Sequence, residues 1–130
     1  MRRLIGVLVG LLVFVAVVGA AEAITAKIVP PPAGFNPSDP SAVRALAAAM
    51  PARAWFLIAA GWLVASFAAG FVAAKISRSL RIAVGLGIGG TLFAVLTNIQ
   101  VPPPPWFWVL SFALFVPPAW FAGRLATAQS

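Results

Sequence analysis

Residues 82–123 read IAVGLGIGGTLFAVLTNIQVPPPPWFWVLSFALFVPPAWFAG and contain no charged side chain across 42 consecutive positions. One membrane-spanning helix needs about 20 predominantly apolar residues, so this stretch is long enough for two. The four prolines at 102–105 cannot lie inside a helix, because proline lacks the backbone N–H and clashes with the preceding turn. The stretch therefore predicts two spanning helices, over about residues 82–99 and 105–123.

Two further apolar runs bring the number of predicted spans to four, with helices over about residues 4–25 and 54–74. The first also fits a secretory signal peptide, because a basic start and an apolar middle precede the small-residue triplet Ala21-Glu22-Ala23. Its charge-free run of 18 residues exceeds the roughly 7–15 of a typical signal core. This length favours a retained helix over removal of residues 1 to about 23.

The composition restricts the class of protein. Of the 130 residues, 62% are hydrophobic and 8% are charged, whereas ordinary globular chains carry about 25% charged residues. A soluble domain of this composition would expose a large apolar surface and aggregate, and disordered chains have low hydrophobicity. We therefore expect an all-α integral membrane bundle of four transmembrane helices, with residues 1–130 forming a single domain.

The connection between the first two predicted spans, residues 26–53, contains the signals of one short helix. Asp39 is a good N-cap and Pro40 suits the first helical position. Four apolar residues then follow at i, i+3, i+4 and i+7, the spacing of a one-sided helix: Val43, Leu46, Ala47 and Met50. The pattern predicts an interfacial helix over about residues 40–50 in an outer loop.

Basic residues predict the orientation, because cytoplasmic loops of membrane proteins carry an excess of Lys and Arg. Six lie on one predicted side, at Arg2, Arg3, Lys75, Arg78, Arg81 and Arg124, and three on the other, at Lys27, Arg44 and Arg53. We expect a multi-pass protein of a cell inner (plasma) membrane with both termini in the cytoplasm. The basic residues are expected to contact anionic lipids and, since they form no basic stripe with exposed aromatics, no nucleic acid. The aromatic residues Trp55-Phe56 and 106–108 are expected at the opposite membrane interface.

Reactive chemistry is scarce in this sequence. Cys, His and Tyr are absent, and the carboxylates are Glu22 and Asp39. The usual ligands for zinc, haem iron and copper are therefore missing, as are the common catalytic constellations. We expect a protein that is not an enzyme and that has no cofactor and no metal.

Small residues predict how the helices pack, because close approach of backbones holds helices together in a bilayer. The second span repeats small residues every fourth position, at Gly61, Ala65, Ala69 and Ala73. The third span has Gly85 and Gly89 four apart. We expect these two faces to meet. In the fourth span, Pro117 and Pro118 predict a kink that leaves carbonyl groups near Ala113 and Leu114 without donors.

Glu22 is the carboxylate nearest the apolar zone, and carboxylates within membranes are functional candidates. An outer polar cluster is predicted from the side chains expected at the same end of the bundle, namely Glu22, Lys27, Arg53 and Asn98. One hypothesis is a Glu22–Arg53 ion pair that ties the first two helices together. The other is a carboxylate that binds a proton or a cation at an outer mouth.

The order of these features resembles a family of small, four-helix bacterial inner-membrane proteins of uncharacterised function. The resemblance rests on the following motifs: Glu22 late in the first helix, residues 31–34 (Pro-Pro-Ala-Gly), Asp39-Pro40, Met50-Pro51, Asn98, Val101-Pro102, Trp106-Phe107 and residues 117–119 (Pro-Pro-Ala). They extend over nearly the whole chain. The resemblance implies a topology and no activity.

Two classes of function fit these features. The first is a non-catalytic accessory or structural subunit, packed against a membrane-protein partner or in a homo-oligomer. The alternative is a small oligomeric transporter or channel that uses Glu22 near its outer mouth. The few polar residues within the predicted spans favour the first class.

Overall fold

The computed structural model describes residues 1–30 and 32–128, and these contain no β-strand. The described residues form six helices, α1 (Arg2–Ile28), α2 (Pro40–Ala49), α3 (Ala52–Ser77), α4 (Leu80–Gln100), α5 (Pro105–Ala113) and α6 (Val116–Ala128). Helices α1, α3 and α4 and the broken helix α5–α6 are each long and apolar enough to cross a membrane. The predicted all-α membrane bundle with four spans is therefore confirmed, and the chain is a multi-pass membrane protein.

The spanning helices run a few residues past the predicted apolar segments. Helix α1 has 27 residues and is about 40 Å long at 1.5 Å per residue, whereas the hydrocarbon core of a bilayer is about 30 Å thick. Its basic residues lie in the surplus turns at the two ends, where long side chains reach water. The charges therefore end the apolar run without ending the helix.

The two ends of the bundle differ in composition. We call the end with the start of α1, the α3–α4 turn and the end of α6 the basic end. The opposite end, with residues 29–30, 32–39 and 101–104, is called the Pro-rich end. At the basic end α3 and α4 are joined by two residues, Arg78 and Ser79, and Arg78 adopts the left-handed conformation with φ of 56°.

Helix α3 lies against all the other spanning helices. The predicted small-residue face of α3 is buried at all four positions, Gly61, Ala65, Ala69 and Ala73. Its partner, however, is α1. A Cβ atom added to Gly6 of α1 would lie 2.9 Å from the Ala73 carbonyl oxygen, so the two backbones touch. Glycines on both helices allow this approach.

The predicted role of Gly85 and Gly89 inside the bundle is wrong. Both residues are exposed, and a Cβ atom added to either would have nothing within 4 Å. Helix α4 instead turns another set of small residues inward, Ala83, Gly87, Gly90 and Ala94. A residue two positions away lies about 200° around a helix, so burying Gly87 turns Gly85 and Gly89 outward.

The fourth span is broken where the prolines predict a kink. Helix α5 ends at Ala113, and α6 begins at Val116 with Pro117 and Pro118 in its first turn, where a missing N–H costs little. At the break, the Phe115 carbonyl accepts hydrogen bonds from the Ala119 N–H at 3.1 Å and from the Ser66 hydroxyl of α3 at 2.5 Å. The Ser66 hydroxyl of α3 thus donates to the carbonyl of Phe115, whereas the prediction named the carbonyls near Ala113 and Leu114.

Helix α2 confirms the helix predicted over residues 40–50. Asp39 is its N-cap, and the carboxylate accepts hydrogen bonds from the Ser41 hydroxyl at 2.8 Å and from the Ser41 N–H at 3.0 Å. These two bonds and one from the Ala42 N–H hold the pKa of the Asp39 carboxyl below its usual value. Ala47 is buried among core residues that include Trp55 and Phe107, so α2 covers part of the Pro-rich end.

Candidate functional site

Two neighbouring cavities lie at the Pro-rich end, beside the end of α1 and along α2. A cavity of about 350 Å³ contains Glu22 in its wall. We call it the α1–α2 groove, and it is lined by Glu22, Thr25, Ala26, Val29, Phe35, Leu46, Met50 and Ile58. A neighbouring cavity of about 540 Å³ shares four of these residues, Val29, Phe35, Leu46 and Met50. Apart from the Glu22 carboxylate and the Thr25 hydroxyl, the side chains that line the groove are apolar.

A second depression lies between α1 and α3. This α1–α3 furrow has a volume of about 280 Å³ and is lined by Val17, Ala20, Ala21, Ile24, Thr25, Leu57, Ala60, Gly61 and Val64. Thr25 belongs to both cavities. Its hydroxyl donates to the Ala21 carbonyl of its own helix at 2.8 Å, so its single donor is already used. Ala20 and Ile24 of the furrow are each two positions from Glu22, or about 200° around α1, so the furrow and the groove lie on opposite sides of the contact between α1 and α3.

The predicted outer polar cluster does not form. Glu22, Lys27 and Arg53 are exposed, whereas Asn98 is 2% exposed. Across residues 1–30 and 32–128, no hydrogen bond or ion pair reaches the Glu22 carboxylate, so the predicted Glu22–Arg53 pair is wrong. The reason is the register of the antiparallel helices: Glu22 shares its groove with Ile58, five residues below Arg53 on α3, or about 7 Å along the axis.

Asn98 has a partner that the sequence did not reveal. Its amide Nδ2 donates to the Ser111 hydroxyl of α5 at 3.1 Å, and this hydroxyl donates to the Phe107 carbonyl at 2.7 Å. Both side chains are 2% exposed. A buried polar group needs such partners, because leaving it unbonded is costly. Asn98 thus joins α4 to α5 and takes no part in a site around Glu22.

An aromatic cluster fills the bundle between the groove and its centre, and Trp62 is its hub. The Trp62 ring lies 5.2 Å from Phe107, 5.5 Å from Phe115 and 5.7 Å from Phe93, centroid to centroid. Sequence reasoning missed Trp62. Its spacing of seven residues from Trp55 is a signal that could have found it, because residues seven apart share a helix face.

Two aromatic residues predicted for the membrane interface belong to this interior. Trp55 is 3% exposed and Phe107 is buried completely, with ring centroids 5.0 Å apart. Their chain neighbours Phe56 and Trp106 are 60% and 39% exposed, and these two rings stack on the surface. Buried and exposed aromatic rings therefore lie side by side in the sequence, both at 55–56 and at 106–107.

The basic end pairs cations with aromatic rings. The Arg124 guanidinium lies 5.1 Å from the Trp120 ring centroid, and the Lys75 ammonium lies 5.8 Å from that of Phe71. Such cation–π contacts are favourable within about 6 Å. They fix positive charge where lipid head groups would lie in a membrane.

The described part of the chain offers no metal-binding group of three or more His, Cys, Asp or Glu residues. Comparison of the sequence and of the fold with known proteins finds no matching family model, no matching curated protein and no matching solved structure. The resemblance to small four-helix membrane proteins therefore stays a prediction. The site with the most specific geometry is the α1–α2 groove with its unpaired carboxylate.

Proposed function

We propose that this protein is a non-catalytic accessory subunit that packs against another membrane protein. The observation that carries the proposal is the closed interior of the bundle. Aromatic rings occupy its centre, and the buried hydroxyls of Ser66 and Ser111 and the Asn98 amide are all bonded within the chain. An interior of this kind provides tight packing and leaves no polar pathway along which a solute could cross.

The partner surface in this proposal is the outward face of α4. Gly85 and Gly89 lie exposed on it beside large apolar neighbours, with Ile88 53% and Leu92 62% exposed. Small residues four apart let a second helix approach closely in a membrane. The spacing that suggested a contact inside the bundle thus supports a contact outside it.

The test is co-purification from native membranes at endogenous expression, with quantitative mass spectrometry. The compared chains are the parent, Gly89→Leu and Gly19→Leu. Gly19 of α1 is the matched control, because it is also an exposed glycine with nothing within 4 Å of an added Cβ. We expect a stoichiometric partner with the parent and with Gly19→Leu, and at least a tenfold loss with Gly89→Leu.

Equal recovery with all three chains would contradict the proposed surface, and recovery of the chain without another protein would contradict the accessory role. If the recovered partner is a second copy, the same face joins a homo-oligomer.

The proposal includes location in an inner (plasma) membrane, with the basic end and both termini in the cytoplasm and in contact with anionic lipids. The excess of Lys and Arg at that end supports it. Because the sequence contains no cysteine, Ser41→Cys and Ala128→Cys each introduce a unique thiol. In intact cells, an impermeant maleimide should label the first variant and spare the second. The reverse pattern would invert the topology.

The second candidate is a small oligomeric transporter or channel, and the unpaired Glu22 carboxylate favours it. Glu22 lies in a groove on the side of the bundle, however, so a pathway would require several copies. Solute or proton flux into liposomes that contain the purified protein would distinguish the candidates. Flux that Glu22→Gln abolishes would reverse our ranking.

A further inference from the structure

The break between α5 and α6 leaves two backbone carbonyls without donors. In a continuous helix, the Ala113 and Leu114 carbonyls would accept hydrogen bonds from the N–H groups four residues later. Those positions are the prolines at 117–118, which have no N–H. The buried Ser66 hydroxyl donates to the next carbonyl along, that of Phe115. Among the described residues, no other donor reaches the carbonyl of Ala113 or of Leu114.

The break lies near the middle of the membrane. Ala113 follows Pro105, the first residue of α5, by 8 residues and precedes Arg124 by 11, or about 12 Å and 16 Å along the helix axes. The hydrocarbon core is about 30 Å thick, so both ends of the span are closer to water than Ala113 is. Water satisfies the carbonyls at an ordinary helix end, whereas backbone polar groups in hydrocarbon need partners within protein. An unbonded carbonyl at this depth is therefore costly.

Ala113 is the residue through which a neighbouring molecule reaches this break. Ala113 and Phe112 are exposed on the outside of the bundle, whereas Leu114 is 4% exposed. The Ala113 carbonyl is therefore an acceptor on the surface that faces the membrane. The molecule that completes it must carry an N–H or O–H donor at this depth, which the acyl chains of lipids lack.

A neutral carboxamide, the side chain of asparagine or glutamine, is the donor that best matches this position. A charged donor is costly at the centre of a bilayer. Hydroxyls often donate to a carbonyl of their own helix, as those of Thr25 and Thr91 do here. A carboxamide has two N–H donors and reaches a neighbouring helix, as that of Asn98 does.

A second copy of this chain does not supply this donor. The described residues contain three carboxamides, at Asn36, Asn98 and Gln100. Asn98 is buried and bonded to Ser111, and the other two lie at the Pro-rich end, in the loop before α2 and at the end of α4. Copies with the same orientation hold these groups at the same depth, so none of them comes opposite Ala113. A different protein must therefore provide the carboxamide.

We propose that the Ala113 carbonyl binds a carboxamide side chain on a transmembrane helix of a different membrane protein. The amide N–H donates to the carbonyl, and the helix of the partner covers the exposed surface around Phe112. This inference rests on the accessory role proposed above, and it adds the chemistry by which the partner is recognised.

The experiment measures the association of the protein with two synthetic transmembrane peptides in phosphatidylcholine vesicles. Both peptides are polyleucine helices with lysines at their ends, and one carries a central asparagine where the other carries leucine. Energy transfer is recorded between the labelled peptide and a dye on the unique thiol of Ala128→Cys, since the chain has no cysteine of its own. The protein should bind the asparagine peptide about three- to tenfold more tightly, the range of one hydrogen bond between helices in a membrane.

Two proline substitutions test the site within the same assay. Pro117→Ala and Pro118→Ala together supply the missing N–H groups to the carbonyls of the chain itself, so the preference for the asparagine peptide should disappear. Pro105→Ala, at the first residue of α5, is the matched control. A proline at that position removes no bond within the helix, so this variant should keep the preference.

Solid-state NMR locates the hydrogen bond directly, whether or not the alanine variants close the break. The sequence has two Ala-Leu pairs, Ala45–Leu46 and Ala113–Leu114, so alanine labelled with ¹³C at the carbonyl and leucine labelled with ¹⁵N select these two peptide bonds. The asparagine peptide should move the Ala113 carbonyl resonance downfield, as acceptance of a hydrogen bond does. Ala45 lies inside α2, and its resonance should not move.

Three results would overturn the proposal. The first is equal affinity of the parent for the two peptides, which is expected if water fills the break. The second is a preference that the paired proline substitutions leave unchanged. The third is a preference without movement of the Ala113 resonance, which would place the amide elsewhere. None of these results alters the recovery of a native partner in the co-purification test, so failure of this proposal is distinguishable from failure of the accessory role.

Discussion

Two faces of α4 are both built from small residues, yet their surroundings are opposite. Ala83, Gly87, Gly90 and Ala94 are buried against the rest of the bundle, whereas Gly85 and Gly89 are exposed. The inward face meets the break in the fourth span, where Phe115 and Ala119 lie against Gly87 and Gly90. Small residues thus permit close contact on either face, and the shape of the neighbouring helix decides which face is used inside the chain.

The largest expected effect comes from removing the ring that the inward face accommodates. Phe115 is buried completely and lies against Gly90, Trp62 and Phe14. Phe115→Ala should lower the free energy of unfolding by about 3–5 kcal/mol, because it leaves a cavity. SDS titration of the protein in detergent micelles measures this. Phe121→Ala, at a ring that is 54% exposed, is the control, and an equal loss there would contradict the assigned core.

The next prediction compares the inward and outward faces of α4 directly. A Cβ atom added to Gly87 would lie 2.9 Å from the Val116 Cα, and backbone cannot yield as a flexible side chain does. Gly87→Leu should therefore lower the free energy of unfolding by about 1–3 kcal/mol or more, whereas Gly89→Leu should change it by about 0.5 kcal/mol or less. The same titration applies. If the two variants are equally destabilised, the rotation of α4 described here is incorrect.

A smaller effect concerns the hydrogen bond at the break. The Ser66 hydroxyl donates to the Phe115 carbonyl, which gives this backbone group a second donor. Ser66→Ala should lower the free energy of unfolding by about 1 kcal/mol. Thr91→Ala removes a hydroxyl that bonds to its own helix, at the Gly87 carbonyl, and is the matched control. We expect a measurably smaller loss in that variant.

The smallest effect is a dependence on pH that leaves both faces of α4 unchanged. The pKa of Asp39 is lowered in the folded state by the Ser41 hydroxyl and N–H. The capping contribution is therefore complete above the ordinary carboxyl pKa of about 3.9 and is lost as the pH falls through the lowered value. Amide hydrogen exchange should show α2 opening in acid while α4 keeps its protection.

Asp39→Asn should remove this dependence, since asparagine caps a helix without titrating there. Equal acid sensitivity in the parent and in Asp39→Asn would show that another group controls α2.

The structure of a segment could be predicted from the sequence where polar or charged residues stand out from the apolar ones, and less well where they do not. The four spans were predictable because charged residues bracket the apolar runs and the prolines at 102–105 divide the longest of these runs. Helix α2 was predictable because Asp39-Pro40 marks its start. Within α4, by contrast, nearly every side chain is apolar, so no polar face indicates which side turns outward. The buried face depends on Phe115 and the break in the fourth span, which are distant in sequence.

The candidate site shows the same limit. The exposed carboxylate at the Pro-rich end could be predicted from the position of Glu22 in its helix. The lack of a partner could not, because it depends on the register of α1 against α3. Similarly, Asn98 was placed at the correct end, but its bond to Ser111 follows from how α5 begins after the prolines.

The turn between α3 and α4 has a consequence for how the chain enters the bilayer. With Arg78 and Ser79 alone between the two helices, neither can cross without the other, so they should insert as one hairpin. Arg78 in this turn and Lys75 and Arg81 on either side of it resist translocation. The direction of both central helices is thus determined in a single insertion event, and neutralising these three residues should scramble that direction more than shortening either end of the polypeptide.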